Sequence, residues 1–314
     1  MKKIAFKTKA GFLISGSYFE FCSKSNKQVE DYRDIILIHA FPFDSEMFIS
    51  NFNEKKFIQK YFKTAINNKG LRFFIPDLPG FGKSDILPSE PNDLQPYVES
   101  IKELIDRYQI ERFYLGGCSM GGYISLEYFS TYPNDIEGLV LMDTKPFADN
   151  EDQLKNRRNT VKMINSSLQS HPEDARTEIR MKDLSKIDNE IKDYINNLYL
   201  LLTSENTRLN KLKIAEKILK LMKKQKAISY THALLGMAGR KDNFNIIKRA
   251  KIPILIIVGE YDSITPVHIA EQVYNAAQHA NLEIVPNAGH LSNLENIEQF
   301  NLILSNWLYS NTEV

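Results

Sequence analysis

Phe113-Tyr-Leu-Gly-Gly-Cys-Ser119-Met-Gly-Gly-Tyr123 decides the fold of this chain. The apolar run over residues 112–116 reads as a strand, and helical spacing begins at Met120. Gly117-Cys118-Ser119-Met120-Gly121 must therefore turn the chain from one to the other within a few residues. A serine at the centre of so tight a turn sits on strained backbone, with its Oγ projecting beyond the sheet edge. Glycine is required two positions before and after it, because a Cβ there would strike the neighbouring strand or helix. Ser119 is thus a candidate nucleophile, and the Met120 N–H at the helix start a candidate donor to a developing oxyanion. Register excludes Cys118 from the same role, since a turn centred on it would need glycine where Met120 stands.

Working outward, Ile4–Thr8 and Leu13–Phe21 read as a hairpin about Lys9-Ala10-Gly11. Asp34–His39 and Arg72–Asp77 are strand-like runs, the first of the β-branched kind buried on both faces. Leu94–Tyr108 and Met120–Tyr132 carry helical spacing, and Gly138–Met142 reads as a further strand. This alternation is that of a parallel sheet with helices on both faces. It stops near Asp143. From Lys145 to Leu235 the chain is rich in Lys, Asn and Glu, with helical periodicity and no strand-like run. The alternation resumes with strand Pro253–Val258, helix Val267–Gln278, strand Leu282–Val285 and helix Ile297–Tyr309. The expected organisation is an α/β core over residues 1–144 and 236–314, with a helical cap inserted over 145–235. The lysine bias of Lys211–Lys226 reads as a solvated helix face.

With 43% hydrophobic and 25% charged residues, the chain can bury a substantial core. Forty basic against 39 acidic side chains leave a formal net charge of +1, which gives no reason to expect a nucleic-acid or membrane-surface partner. No apolar stretch approaches the roughly 18 residues of a membrane span. Lys7 and Lys9 interrupt the N-terminal apolar run, and no small-residue cleavage pattern follows. Two cysteines, Cys22 and Cys118, point to a reducing compartment and no structural disulfide. A soluble cytoplasmic protein, monomer or homodimer, is the expectation.

A lone serine needs a base held by a third group. His290 lies in a loop after the last predicted strand, where it can reach back to Ser119. His171, His232, His268 and His279 sit on or near helical stretches, and His39 ends a buried strand. For the acid, Asp262 follows the strand 254–258 and gives the chain order Ser–Asp–His. Asp143, closing the preceding strand, is the rival, and Glu260 stands behind both. The loop His39-Ala-Phe41-Pro42 follows the first buried strand and can supply the second oxyanion N–H, from Phe41. Asp77–Asp85 reads as loop shaping without chemistry.

These segments, HAFPF, DLPGFGKSD, GGCSMGG, GLVLMDT, VGEYDSITP and NAGHLSNLE, occur in an order that resembles the α/β-hydrolase superfamily, in its capped esterase, lactonase and peroxidase-like branch. Leu235-Gly-Met-Ala-Gly-Arg240 and HLSNLEN are similar to members described as 3-oxoadipate enol-lactonase-like. The resemblance covers about residues 34–143 and 235–310. It implies an eight-stranded, mostly parallel sheet, a helical cap after the sixth strand, and neither cofactor nor metal. It also implies Ser119 as nucleophile, Asp262 as acid, His290 as base, and Phe41 and Met120 as oxyanion donors.

The function implied is hydrolysis of a small-molecule ester, lactone or thioester. Serine rather than aspartate at the turn argues against dehalogenase and epoxide-hydrolase chemistry. A C–C bond hydrolase, a cofactor-free perhydrolase or a ligand sensor on the same fold are the alternatives. Three departures stand out: Ala40 replaces the more usual glycine after His39, Glu46–Gly70 is longer than the family norm, and the cap is lysine-rich. Within the cap, Leu198, Leu201 and Leu235 read as packing positions rather than as a pocket roof.

Overall fold

A computed structural model of the chain describes residues 1–21, 32–52, 60–62 and 70–311. Strands β1 (Lys2–Lys7) and β2 (Leu13–Phe21) form the expected hairpin, with Lys7 opposite Leu13. In β3 (Tyr32–Ile38), Ile35, Ile36, Leu37 and Ile38 are fully buried, so apolar side chains face both sides of the sheet. β3 pairs in parallel with β4 (Gly70–Pro76) on one side and β5 (Phe113–Cys118) on the other. Parallel pairing continues through β6 (Ile136–Met142), β7 (Ile254–Gly259) and β8 (Ala280–Val285). The sheet has eight strands in the order β1-β2-β4-β3-β5-β6-β7-β8, with β2 antiparallel to both its neighbours. That is the mostly parallel sheet the sequence pattern implied.

β5 runs two residues beyond the apolar stretch that announced it. Gly116, Gly117 and Cys118 pair with Val140, Leu141 and Met142, so ladder pairing overrides the weak strand preference of glycine. The extension brings the strand up to Ser119 without an intervening loop.

Helices α1 (Glu46–Phe52), α2 (Gln95–Tyr108) and α3 (Met120–Thr131) accompany the first half of the sheet. Six more follow β6: α4 (Glu151–Gln169), α5 (Met181–Ile187), α6 (Asn189–Leu202), α7 (Glu205–Asn210), α8 (Leu212–Lys223) and α9 (Ala227–Ala238). α9 runs three residues past Leu235, and Arg180 and Lys226 form an isolated bridge within this helical stretch. Asn150, Asp188 and Ser204 cap α4, α6 and α7 with their side chains. α10 (Phe244–Arg249), α11 (Val267–Ala276), α12 (Ser292–Glu295) and α13 (Ile297–Ser310) complete the chain. Of the long segment Glu46–Gly70, α1 packs on α12 and α13, while residues 53–59 and 63–69 lie outside the described residues, as does Cys22.

The helical stretch after β6 has its own core, with Ile164, Met181, Leu184, Ile191, Ile195, Ile218 and Met222 fully buried. Its lysines do more than face solvent. Lys224 pairs with Asp44 at 2.8 Å and Glu46 at 2.9 Å, and Lys211 donates to the Glu295 carbonyl at 2.6 Å. Heptad spacing puts Lys217 and Lys224 on the side of α8 that meets α1, where Lys217 donates to Ser50, while Lys213 and Lys220 remain exposed. Gln225 adds a bond to Asp44 at 2.9 Å and accepts from the Gly82 N–H at 3.1 Å.

Candidate active site

The turn after β5 has the geometry its glycines demand. Ser119 adopts φ 51° and ψ −111°, a strained conformation for a residue with a Cβ, and caps α3. A Cβ on Gly117 would lie 2.0 Å from the Gly121 carbonyl, and one on Gly121 would lie 2.2 Å from the carbonyl of Ile38 on β3. Strand and helix can approach this closely only because both positions are bare. The Ser119 carbonyl accepts the Thr144 hydroxyl at 2.8 Å, which ties the turn to the residue after Asp143.

Ser119, His290 and Asp262, 171 and 28 residues apart along the chain, meet in one hydrogen-bonded line. His290 Nε2 lies 2.8 Å from Ser119 Oγ, and its Nδ1 lies 2.8 Å from Asp262 Oδ2. The imidazole and the carboxylate it meets are nearly inaccessible, at 1% for His290 and 0% for Asp262. Burial opposes the imidazolium, but the charge and hydrogen bond of Asp262 outweigh it and raise the His290 pKa above its ordinary value. The converse holds for Asp262. Burial favours its neutral form, yet His290 and the Thr265 donors hold the carboxyl below its ordinary range. Thr265, which sequence reasoning missed, donates its hydroxyl to Asp262 Oδ2 at 2.7 Å and its N–H to Oδ1 at 2.9 Å. The Asp-x-x-Thr spacing was the available signal, since such a threonine folds back onto the aspartate.

The rival Asp143 is buried beside this line but makes no hydrogen bond to the imidazole. Its Oδ2 accepts the Ser292 hydroxyl at 2.6 Å and the Ser292 N–H at 3.0 Å, and its Oδ1 accepts the Gly259 N–H at 2.9 Å. Burial first, and the nearby charge of Asp262 second, push its pKa up to about 8. Glu260 points elsewhere, accepting the Asn287 N–H at 2.9 Å. Cys118 is a free, fully buried thiol whose pKa is driven up by burial and by Asp143 and Asp262, so the thiolate is suppressed.

The loop after β3 is held by its histidine. His39 Nδ1–H donates to the Ala40 carbonyl at 2.9 Å and Nε2 accepts the Leu78 N–H at 3.0 Å, which fixes the neutral tautomer that burial favours. Asp77 braces the same loop by accepting the Ser45 N–H at 2.9 Å and the Ser15 hydroxyl at 2.7 Å. Loop shaping is thus what the Asp77 segment does. Phe41 and Met120 are buried, and neither N–H has an acceptor among the described residues.

Ser119, His290 and Phe41 open onto a cavity of about 280 Å³. Leu198, Leu201, Leu202 and Leu234 line it, so two of the leucines read as packing positions face the chamber, while Leu235 is not part of its lining. Among the described residues, no cluster of His, Cys, Asp and Glu could hold a metal ion, and no helix is long and apolar enough to cross a membrane.

Glu295 was missed by sequence reasoning. It is buried, and its Oε2 accepts the Ser204 hydroxyl at 2.6 Å and N–H at 2.8 Å, while Oε1 accepts the Gly289 N–H at 3.0 Å. One carboxylate therefore joins the start of α7 to the His290 loop.

A model of the alpha/beta hydrolase fold matches residues 35–297. The chain is 24% identical over 279 residues to the AB hydrolase superfamily protein YisY of Bacillus subtilis, covering 87% of this chain and 90% of that protein. A 2-hydroxy-6-oxononadienedioate/2-hydroxy-6-oxononatrienedioate hydrolase of Paraburkholderia phymatum is 25% identical over 259 residues, 78% of each chain. In fold, the chain is similar to a thermophilic esterase of Thermogutta terrifontis, with a TM-score of 0.77, 21% identity and 99% of both chains covered. The matched span includes the Ser119 turn, Asp262 and the His290 loop, and the chain belongs to the α/β-hydrolase family.

Proposed function

We propose that the protein is a serine hydrolase that cleaves a small-molecule ester, lactone or thioester through an acyl-enzyme. The observation that carries this reading is the 2.8 Å contact between Ser119 Oγ and His290 Nε2, continued at 2.8 Å to Asp262. Ser119 Oγ attacks the carbonyl carbon as its proton passes to His290 Nε2. The free N–H groups of Phe41 and Met120 receive the oxyanion. Collapse expels the alkoxide or thiolate, which takes the proton from His290. Water then attacks the acyl-enzyme with the same base, restoring Ser119. Asp262 keeps Nδ1 protonated, so that Nε2 is the nitrogen free to act.

Turnover of p-nitrophenyl esters from acetate to decanoate, by wild type and Ser119→Ala, tests the reading. Steady turnover that disappears in the variant is expected. Full activity in Ser119→Ala would remove it.

A second reading is hydrolysis of a C–C bond, favoured by the Paraburkholderia relative, whose name describes a dienedioate hydrolase. The same serine, histidine and free N–H groups serve it, and activity on a vinylogous 1,5-diketone with none on esters would select it. A cofactor-free perhydrolase or a ligand sensor on this fold would show, respectively, peracid formation or ligand-dependent movement of the helical insert without turnover.

A further inference from the structure

Part of the cavity lining is polar and charged. Gln153, Asn156, Arg157 and Thr160 fall at i, i+3, i+4 and i+7 of α4, and all four line the chamber. The helix thus turns a polar stripe inward, where a purely apolar substrate would call for a hydrophobic one. Lys145 and Asp149 complete this part of the lining. Asp149 is shared by Arg157 Nε at 2.5 Å and Arg240 Nη2 at 2.7 Å. The Arg240 guanidinium in turn lies 4.2 Å from the centre of the Tyr123 ring. Lys145 has no carboxylate partner among the described residues, only a 3.4 Å contact to Gln153 Oε1.

Three cations therefore surround one carboxylate, and 3 − 1 leaves two positive charges uncompensated. Burial, helped by the two guanidinium groups, pushes the Lys145 pKa below its ordinary value. Asp149 cannot relieve this. Burial opposes its charge as well, and Arg240 and Arg157 already engage it and hold it ionised. Excess positive charge in a half-buried pocket is unfavourable until an anion joins it. Arg157 is suited to receive one, since its Nη2 has no acceptor among the described residues.

We propose that this part of the cavity is an anion subsite, and that the substrate carries a carboxylate, held by Lys145 and Arg157, a few bonds from the carbonyl that Ser119 attacks. The position of that carbonyl rests on the reading of Ser119 given above. Ser119, Lys145 and Arg157 line one cavity of about 280 Å³, a size that suits a short dicarboxylic acid monoester better than a long acyl chain.

The test compares mono-p-nitrophenyl glutarate with p-nitrophenyl pentanoate, which has the same number of acyl carbons. Wild type should prefer the glutarate in kcat/KM, and that preference should fall about tenfold or more in Lys145→Met and in Arg157→Gln, mainly through KM. A preference for the neutral ester that neither variant changes would overturn the proposal. Calorimetric titration of glutarate into Ser119→Ala, and into Ser119→Ala with Lys145→Met, reads the subsite without turnover. Binding that weakens about tenfold with Lys145→Met supports the subsite, even if no ester is cleaved and the reading of Ser119 falls. Inorganic phosphate binding there while glutarate does not would overturn the carboxylate assignment.

Discussion

Asp143 and Asp262 follow neighbouring strands of the sheet, yet only Asp262 touches the imidazole, at 2.8 Å from His290 Nδ1. Asp143 spends its acceptors on Ser292 and the Gly259 N–H. The two carboxyls are therefore separable by substitution. Asp262→Asn should lower kcat by roughly 10⁴-fold through loss of the Nδ1–H tautomer. Asp143→Asn should keep kcat within about tenfold, its amide facing the Gly259 donor and reducing stability by about 1–3 kcal/mol instead. Ester turnover and urea unfolding of the two variants check both halves. A collapse of kcat in Asp143→Asn alone would exchange the roles.

The pH profile follows from His290. Its pKa is raised above the ordinary 6.5, and only the neutral ring can take the serine proton. kcat/KM should rise with pH through an apparent pKa above 6.5, and the same limb should persist in Asp143→Asn. A limb centred below 6.5 would contradict the hydrogen-bonded pairing with Asp262.

Stability should move the other way over part of that range. The Asp143 carboxyl is raised from its ordinary 3.8 to about 8, so its contribution is full below 3.8 and is lost as pH rises through about 8. The imidazolium of His290 adds a loss of the same sign above 6.5. Thermal midpoints of the wild type should fall across this window, and those of Asp143→Asn should fall less.

Gly121→Ala tests the turn itself. The added Cβ would come within 2.2 Å of the Ile38 carbonyl, and backbone cannot yield as a side-chain tip would. We expect a loss of about 1–3 kcal/mol or more in unfolding free energy, with activity falling alongside as Ser119 is displaced. Unchanged melting and turnover would show that β3 and α3 are not packed as closely as described.

Glu295→Gln replaces an oxygen by a donor among donors from Ser204 and Gly289. A loss of about 1–3 kcal/mol is expected, with reduced kcat because Gly289 precedes His290. Circular-dichroism melts and ester turnover measured together check this.

Much of this was legible where one residue type admits few explanations. Gly117 and Gly121 flank Ser119 because no other residue fits, and Ile35–Ile38 sit in a two-sided strand because every side chain in the run is apolar. Apart from the line of Ser119, His290 and Asp262, partnership across long stretches of chain was not. The stripe from Gln153 to Thr160 has the spacing of an ordinary solvated helix face, and only the fold shows that it turns inward. Arg240 joins Asp149 from beyond the far end of the helical insert. Glu295 lies in the HLSNLEN segment that marked the resemblance, but its partner Ser204 is 91 residues away. Asp262 stood ahead of its rival Asp143 in the sequence, but both follow strands, and it is the hydrogen-bond partners that separate them.

The bridge through Glu295 bears on how such proteins can be recombined. A chimera that imports foreign helices between β6 and β7 would remove Ser204 and strand a buried carboxylate next to the histidine loop. The structural unit is therefore discontinuous: the helices and the segment from Gly289 to Glu295 must travel together, although the chain separates them by the whole of β7, α11 and β8. Libraries that shuffle inserts for new specificity should yield folded, active members chiefly where both pieces come from one parent.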